Sequence, residues 1–152
     1  MTDPLSRLRA GLAEDERIAR EAIDSLRRSD MEPTLRYEGD VGTWIAEPHQ
    51  HGAGVRSVDV EIREEGEPES WRGPRTVIFS GDGEPTSEVA EHAARQDPKA
   101  TLDRVEAIRE TVIRPYEQAI AELDLNARDA LGGVIAALAS IYPEPTETGD
   151  TR

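Results

Sequence analysis

The period of the apolar residues changes twice along this chain, and that change restricts the fold more than any other feature. Up to about Arg28 they recur every third or fourth position; from Thr34 to Gly83 the period falls to two; from Thr86 it is helical again. A single run of strands between helices makes an α+β fold, with the strands paired to one another as an antiparallel meander. Three or four strands are expected. A sheet that small needs helices on its apolar face.

The first helix is expected from Asp3 or Pro4 to Arg28. Asp3 can cap it, and Pro4 suits the first helical position, where a missing N–H is harmless. Leu5, Leu8, Leu12, Ala19, Ile23 and Leu26 form one stripe, interrupted by Asp15. In the middle segment Val58, Val60 and Ile62 alternate with Ser57, Asp59, Glu61 and Arg63, the pattern of a half-buried strand. Thr43–Ala46 and Thr76–Phe79 are two further strand candidates, the latter apolar on both faces and therefore expected centrally. Breakers follow the first two: the Glu47–Gly52 segment and the Glu64–Pro68 segment.

Three helices are expected after the sheet: a short one from Thr86 or Ser87 to Arg95, then two longer ones. Asp97-Pro98 repeats the Asp3-Pro4 start signal. The stripe that follows is Leu102, Val105, Ile108, Val112, Tyr116, Ile120 and Leu123, with Pro115 expected to kink or break it near Thr111. The last helix, from Asn126 or Ala127 to Tyr142, presents Leu131, Val134, Ile135, Leu138 and Ile141, with Gly132-Gly133 inside it. Both long helices are expected on one face of the sheet. Residues 1–143 then form one domain, and 144–152 a disordered acidic tail. The stripes on the first and long helices have the width of a coiled-coil seam, which suits pairing with a second copy.

Composition narrows the function. The chain has 152 residues, no cysteine and a net charge of −14. Thiolate chemistry and disulfides are excluded, and nucleic acid and anionic membranes are repelled. Residues Met31–Thr86 hold 12 acids against 5 bases, which is half of the net charge. The acidity belongs to the sheet region. The N-terminal residues carry neither a basic nor an apolar leader pattern, and no apolar run approaches the ~20 residues of a membrane span, so a cytoplasmic protein is expected.

Candidate site residues are few. His49 and His51 are two apart, a spacing that on a strand aims both at one metal, with His92 as a third ligand. The same pair, beside Pro48 and Gly52, also reads as a solvated loop. Glu64, Glu65, Glu67 and Glu69 form a charged loop suited to a basic protein partner, and Trp71 next to it either anchors that loop or stands exposed as an interface residue. The anchor is the expected role. Nucleophile elbows, zinc-protease motifs, phosphate loops and dinucleotide fingerprints are missing, so the chain reads as a non-enzyme without a cofactor.

The stretch from Ala90 to Arg109, which holds His92, Arg95, Asp97 and Pro98, resembles an uncharacterised family of small acidic proteins from actinobacteria and their phages. The charged amphipathic helix over Leu8–Ala22 and the sheet tryptophan Trp44 fit the same family. The order of sheet, Ala-rich turn and long helix is more loosely similar to Ead-like phage proteins. The resemblance implies a compact α+β fold and a phage or actinobacterial origin, and no activity. The motif also has a purely structural meaning, with Asp97 as helix cap and Pro98 preset for the first turn. Three functions follow as expectations: an accessory protein that binds a host protein, an acidic nucleic-acid mimic that inhibits a DNA-binding enzyme, and a metal enzyme on His49, His51 and His92.

Overall fold

The computed structural model describes residues 3–27, 34–49, 52–78, 93–94 and 96–144. Its elements are α1 (Pro4–Leu26), β1 (Leu35–Gly39), β2 (Trp44–His49), β3 (Gly52–Glu64), β4 (Ser70–Ile78), α2 (Pro98–Ile108), a π-helical turn (Arg109–Ile113), α3 (Arg114–Ala121) and α4 (Leu125–Ala139). The fold is α+β, with an antiparallel sheet between helical segments. Of the expected short helix only Ala93 and Ala94 are described, and they are helical. The expected disordered tail lies outside the described residues beyond Glu144. No helix among the described residues is long and apolar enough to cross a membrane.

Contacts divide the chain into two units: Met1–Glu16 with Asp103–Arg152, and Arg17–Leu102. In the first, helices pack around Leu8, Leu12, Val105, Ile113, Ile135 and Ala139, with Leu5, Ile108, Val112, Tyr116, Leu138 and Tyr142 against them. Pro115 neither breaks nor ends the helical run. Its missing N–H and its ring are accommodated one turn earlier, where Arg114 N–H bonds to the Arg109 carbonyl five residues back. The extra residue in that turn brings Ile113 into the core.

Two stripes differ from expectation. Ile120 and Leu123 lie exposed, because α3 turns Tyr116 and Ala119 inward and the chain leaves the helix at Leu123. On α4, Val134 is exposed while Ile135 and Ala139 are buried, and Ile141, also exposed, lies beyond the helix end, so the expected stripe merged two faces and overran the helix.

Leu123 closes α3 at φ 57°, the left-handed region that normally takes glycine. Its N–H reaches the Ile120 carbonyl and Asp124 N–H reaches that of Ala119, a Schellman ending with leucine at its strained position. The side chain is 81% exposed, so it returns little burial for that strain. Leu123→Gly is therefore expected to stabilise the chain by about 0.5–1 kcal/mol, read as a higher urea midpoint at unchanged slope.

In the second unit β3 is the axis. β1 and β2 lie end to end along one edge of it, β4 along the other, all antiparallel. The sheet has four strands but is three across. β4 is thus an edge strand, not the expected central one, and it begins earlier, at Ser70. Edge placement is what permits Pro48 in β2 and Pro74 in β4, which have no N–H to give a second neighbour.

A bulge sets which side chains face inward. Ser57 and Val60 oppose Arg75 and Gly73, so β3 spends three residues where β4 spends two. Since Arg75 and Gly73 share a face, Ser57 and Val60 do too. Strict alternation puts Ser57 outside; with the bulge it is fully buried, its hydroxyl donating to the Val41 carbonyl at 2.9 Å. Val41 and Gly42 form the break between β1 and β2, and both are buried.

Candidate interaction surface

Tyr37, Ile62 and Trp71 are direct partners across β1, β3 and β4, and so line up on the inward-facing side of the sheet with Val60. Val60 is buried, Tyr37 and Ile62 are half-buried, and Trp71 is 49% exposed. The apolar face is closed at one end, where Val55 packs with Trp44, Ala46 and Ala93, and open at the other. Trp71 was expected in a loop, anchored on the core. It sits on a strand instead, half in water, because β4 starts at Ser70 and carries it past the last covered row.

The acidic segment is the turn joining β3 to β4. Glu67 N–H bonds to the Glu64 carbonyl, and Gly66 adopts φ 93°, which explains a glycine among the acids. Glu65 reaches Arg36 at 3.6 Å. Among the described residues, no cation lies at ion-pair distance from Glu64, Glu67 or Glu69, all exposed.

The opposite side of the sheet is charged. Its rows set Glu38 against Glu61 and Arg36 against Arg63, like charges that disfavour each other when directly opposed. Contacts across and along the strands offset this: Arg63 lies 3.7 Å from Glu38 on β1 and 3.3 Å from Glu61 on its own strand. Ser70 donates its hydroxyl to Glu61, and that bond above all, with Arg63 and Arg72 nearby, holds the Glu61 carboxyl below its usual range against the opposing effect of burial. Arginines interrupt the acids here.

A second polar cluster surrounds the Asp97-Pro98 motif. One Asp97 oxygen caps α2 by accepting Ala100 N–H; the other accepts Trp44 N–H from β2 at 3.1 Å. Lys99 N–H donates to the Gly42 carbonyl at 3.3 Å, and the Trp44 indole N–H reaches the Val41 carbonyl at the same distance. Asp97 and Pro98 are buried. Both carboxylate oxygens are engaged by backbone donors, which suits tying helix to strand and not chemistry on a ligand.

Of the three histidines only His49 is among the described residues. His49 ends β2 opposite Gly52, so it belongs to a strand and not to a loop tip. His51, His92 and Arg95 lie outside the described residues. Among the described residues no group of three or more His, Asp or Glu is placed to hold a metal ion.

A third cluster escaped sequence reasoning. Asp15, the interruption in the α1 stripe, accepts the Tyr142 hydroxyl at 2.7 Å, and Arg7 donates two bonds to the Tyr142 carbonyl, one at 2.8 Å. Gly11 makes room for the ring. A lone glycine inside a helical pattern was the available signal.

A family of unknown function (DUF6221) matches residues 1–144. The chain belongs to that family. No curated protein and no solved structure matches it. Membership in DUF6221 therefore brings no activity with it, and the function must be argued from the surface just described.

Proposed function

We propose that this chain is a non-enzymatic accessory protein, of phage or phage-derived origin, that docks on a basic host protein in the cytoplasm. Trp71 is the apolar anchor, and Glu64, Glu67 and Glu69 are the rim. The observation that carries this reading is a half-exposed tryptophan, at the open end of an apolar sheet face, beside three carboxylates that have no cation at ion-pair distance among the described residues. An exposed tryptophan gains most when a partner covers it, and unpaired rim acids steer a basic surface and set the salt dependence. The nucleic-acid mimic is the weaker alternative, since Arg36, Arg63 and Arg72 interleave with the acids of the sheet.

The tagged chain should capture one basic protein from host lysate at low salt and release it as salt rises and screening shortens to a few ångströms. Trp71→Ala should weaken that complex about 30-fold or more, the effect of losing roughly 2 kcal/mol at a hot spot. Replacing Glu64, Glu67 and Glu69 by lysine should abolish capture at low salt. Undiminished capture by both variants would overturn the assignment. A DNA-binding enzyme as the captured protein, displaced by DNA, would favour the mimic.

A further inference from the structure

The Asp15–Tyr142 bond stands beside a cleft of about 490 Å³, walled by α1, α2 and the turn that follows α4. Every residue that lines it belongs to the first unit. Its volume falls in the range of small-molecule sites, about 300–1,000 Å³. Leu8, fully buried, is the floor, and Ile108 and Leu138 are half-buried walls. Ile141, exposed beyond the end of α4, is an apolar lip.

The polar lining gathers at one phenol. Asp15 accepts the Tyr142 hydroxyl through one oxygen at 2.7 Å, which leaves its other oxygen as an acceptor. Arg104, exposed and one turn before Ile108 on α2, brings a positive charge close enough to act on the same phenol. That charge opposes the rise that burial and Asp15 cause there. A carboxylate and a guanidinium thus flank the Tyr142 hydroxyl at the rim of an apolar cleft.

We infer that this cleft binds a free amino acid with a large apolar side chain. The ammonium group sits on Asp15, the carboxylate on Arg104, and the side chain over Leu8, Ile108 and Leu138. The two charges select that ligand. A fatty acid or other simple anion would meet Arg104 but set a second carboxylate beside Asp15. A simple amine would satisfy Asp15 but face the guanidinium, and like charges brought together are the usual means of rejecting a wrong ligand. A neutral apolar compound would strip water from both charges without replacing it. A zwitterion avoids all three costs. Its side chain must then be apolar, because the floor and walls gain only from displacing water. The Tyr142 hydroxyl, committed to Asp15, fixes the orientation of that carboxylate and leaves the ligand its free oxygen.

Ligand-detected NMR titration of the full chain with L-phenylalanine tests this. Two analogues accompany it: phenethylamine, which lacks the carboxylate, and 3-phenylpropanoate, which lacks the ammonium group. Phenylalanine should bind with a Kd of about 1 mM or below. Each analogue should bind about 10-fold more weakly or worse, the effect of losing one charged hydrogen bond. Arg104→Gln, at an exposed position, should keep the fold and weaken phenylalanine by a similar factor, while phenethylamine binds no more weakly than before. L-Leucine, transparent in the near ultraviolet, should perturb the tyrosine absorption of the native chain but not that of Tyr142→Phe. Failure of phenylalanine to bind, equal affinity for phenylalanine and either analogue, or binding untouched by Arg104→Gln overturns the inference. A tyrosine signal that persists in Tyr142→Phe places the ligand elsewhere and overturns it too.

Discussion

Asp97→Ala is expected to destabilise the chain by about 2–4 kcal/mol, far beyond the usual effect of an exposed aspartate. Two losses combine. Removing the cap frees the first turn of α2, at about 0.5–2 kcal/mol. Removing the second oxygen leaves the Trp44 N–H without its acceptor in a part-buried place, at about 1–3 kcal/mol. Asp97→Asn should fall between, because an amide keeps one acceptor and turns its NH2 group toward a backbone donor. Urea denaturation gives the energies, and tryptophan fluorescence the location. The chain has two tryptophans, so in a Trp71→Phe background the emission is that of Trp44 alone. Asp97→Ala should shift that emission to the red before global unfolding. An unshifted emission with a loss below about 1 kcal/mol would mean that the Trp44 contact contributes nothing and the cap alone accounts for Asp97.

The same residue shows what could be read before the structure. Asp97-Pro98 was legible as a helix start because capping is local: a carboxylate and a preset φ act on the next three residues. Its bond to Trp44, fifty-three residues away, was not, because no short-range rule carries the partner of a free oxygen. The sheet divides in the same way. The period of two marks β3, and the alternation of Leu35 and Tyr37 with Arg36 and Glu38 is the local signal for β1, a strand absent from the sequence-based expectations. The bulge at Ser57–Val60 left no trace in composition, and it reverses the side on which Ser57 lies. Trp71 was placed in a loop because charged neighbours hid the strand; the pairing that draws it into β4 is long-range. The acidic turn was legible in full, since glycine and proline among like charges leave few alternatives. Whether a carboxylate in that turn finds an arginine is a matter of register, and only the fold decides it: among the described residues Glu65 does, and Glu64, Glu67 and Glu69 do not.

Gly11→Ala inverts the usual rule that alanine stabilises a helix interior by about 1 kcal/mol over glycine. A Cβ at Gly11 would lie 2.3 Å from Cδ1 and Cγ of Tyr142 and 2.6 Å from Cδ2, so the ring must leave its seat. With it go the hydroxyl bond to Asp15 and the paired bonds from Arg7 to the Tyr142 carbonyl. Bonds to charged groups contribute about 1.5–3 kcal/mol each, and the helix gain offsets only part of that. A net loss of about 2–3 kcal/mol is expected, with the sign reversed in a Tyr142→Ala background, where Gly11→Ala should stabilise by about 1 kcal/mol. Alkaline titration gives an independent check. The Tyr142 phenol is pushed up to about 12, first by burial, then by its bond to Asp15 and the charge on that carboxylate, against the opposing pull of Arg104. A folded value above the unfolded value of about 10 means that folding favours the neutral phenol. That contribution is complete below about pH 10 and is lost as pH rises through about 12. Stability of the native chain should therefore fall across this window more steeply than that of Gly11→Ala, whose tyrosine has lost both its cover and its acceptor. Equal slopes would show that the ring keeps its seat, and that α1 moves aside to accommodate the methyl group instead.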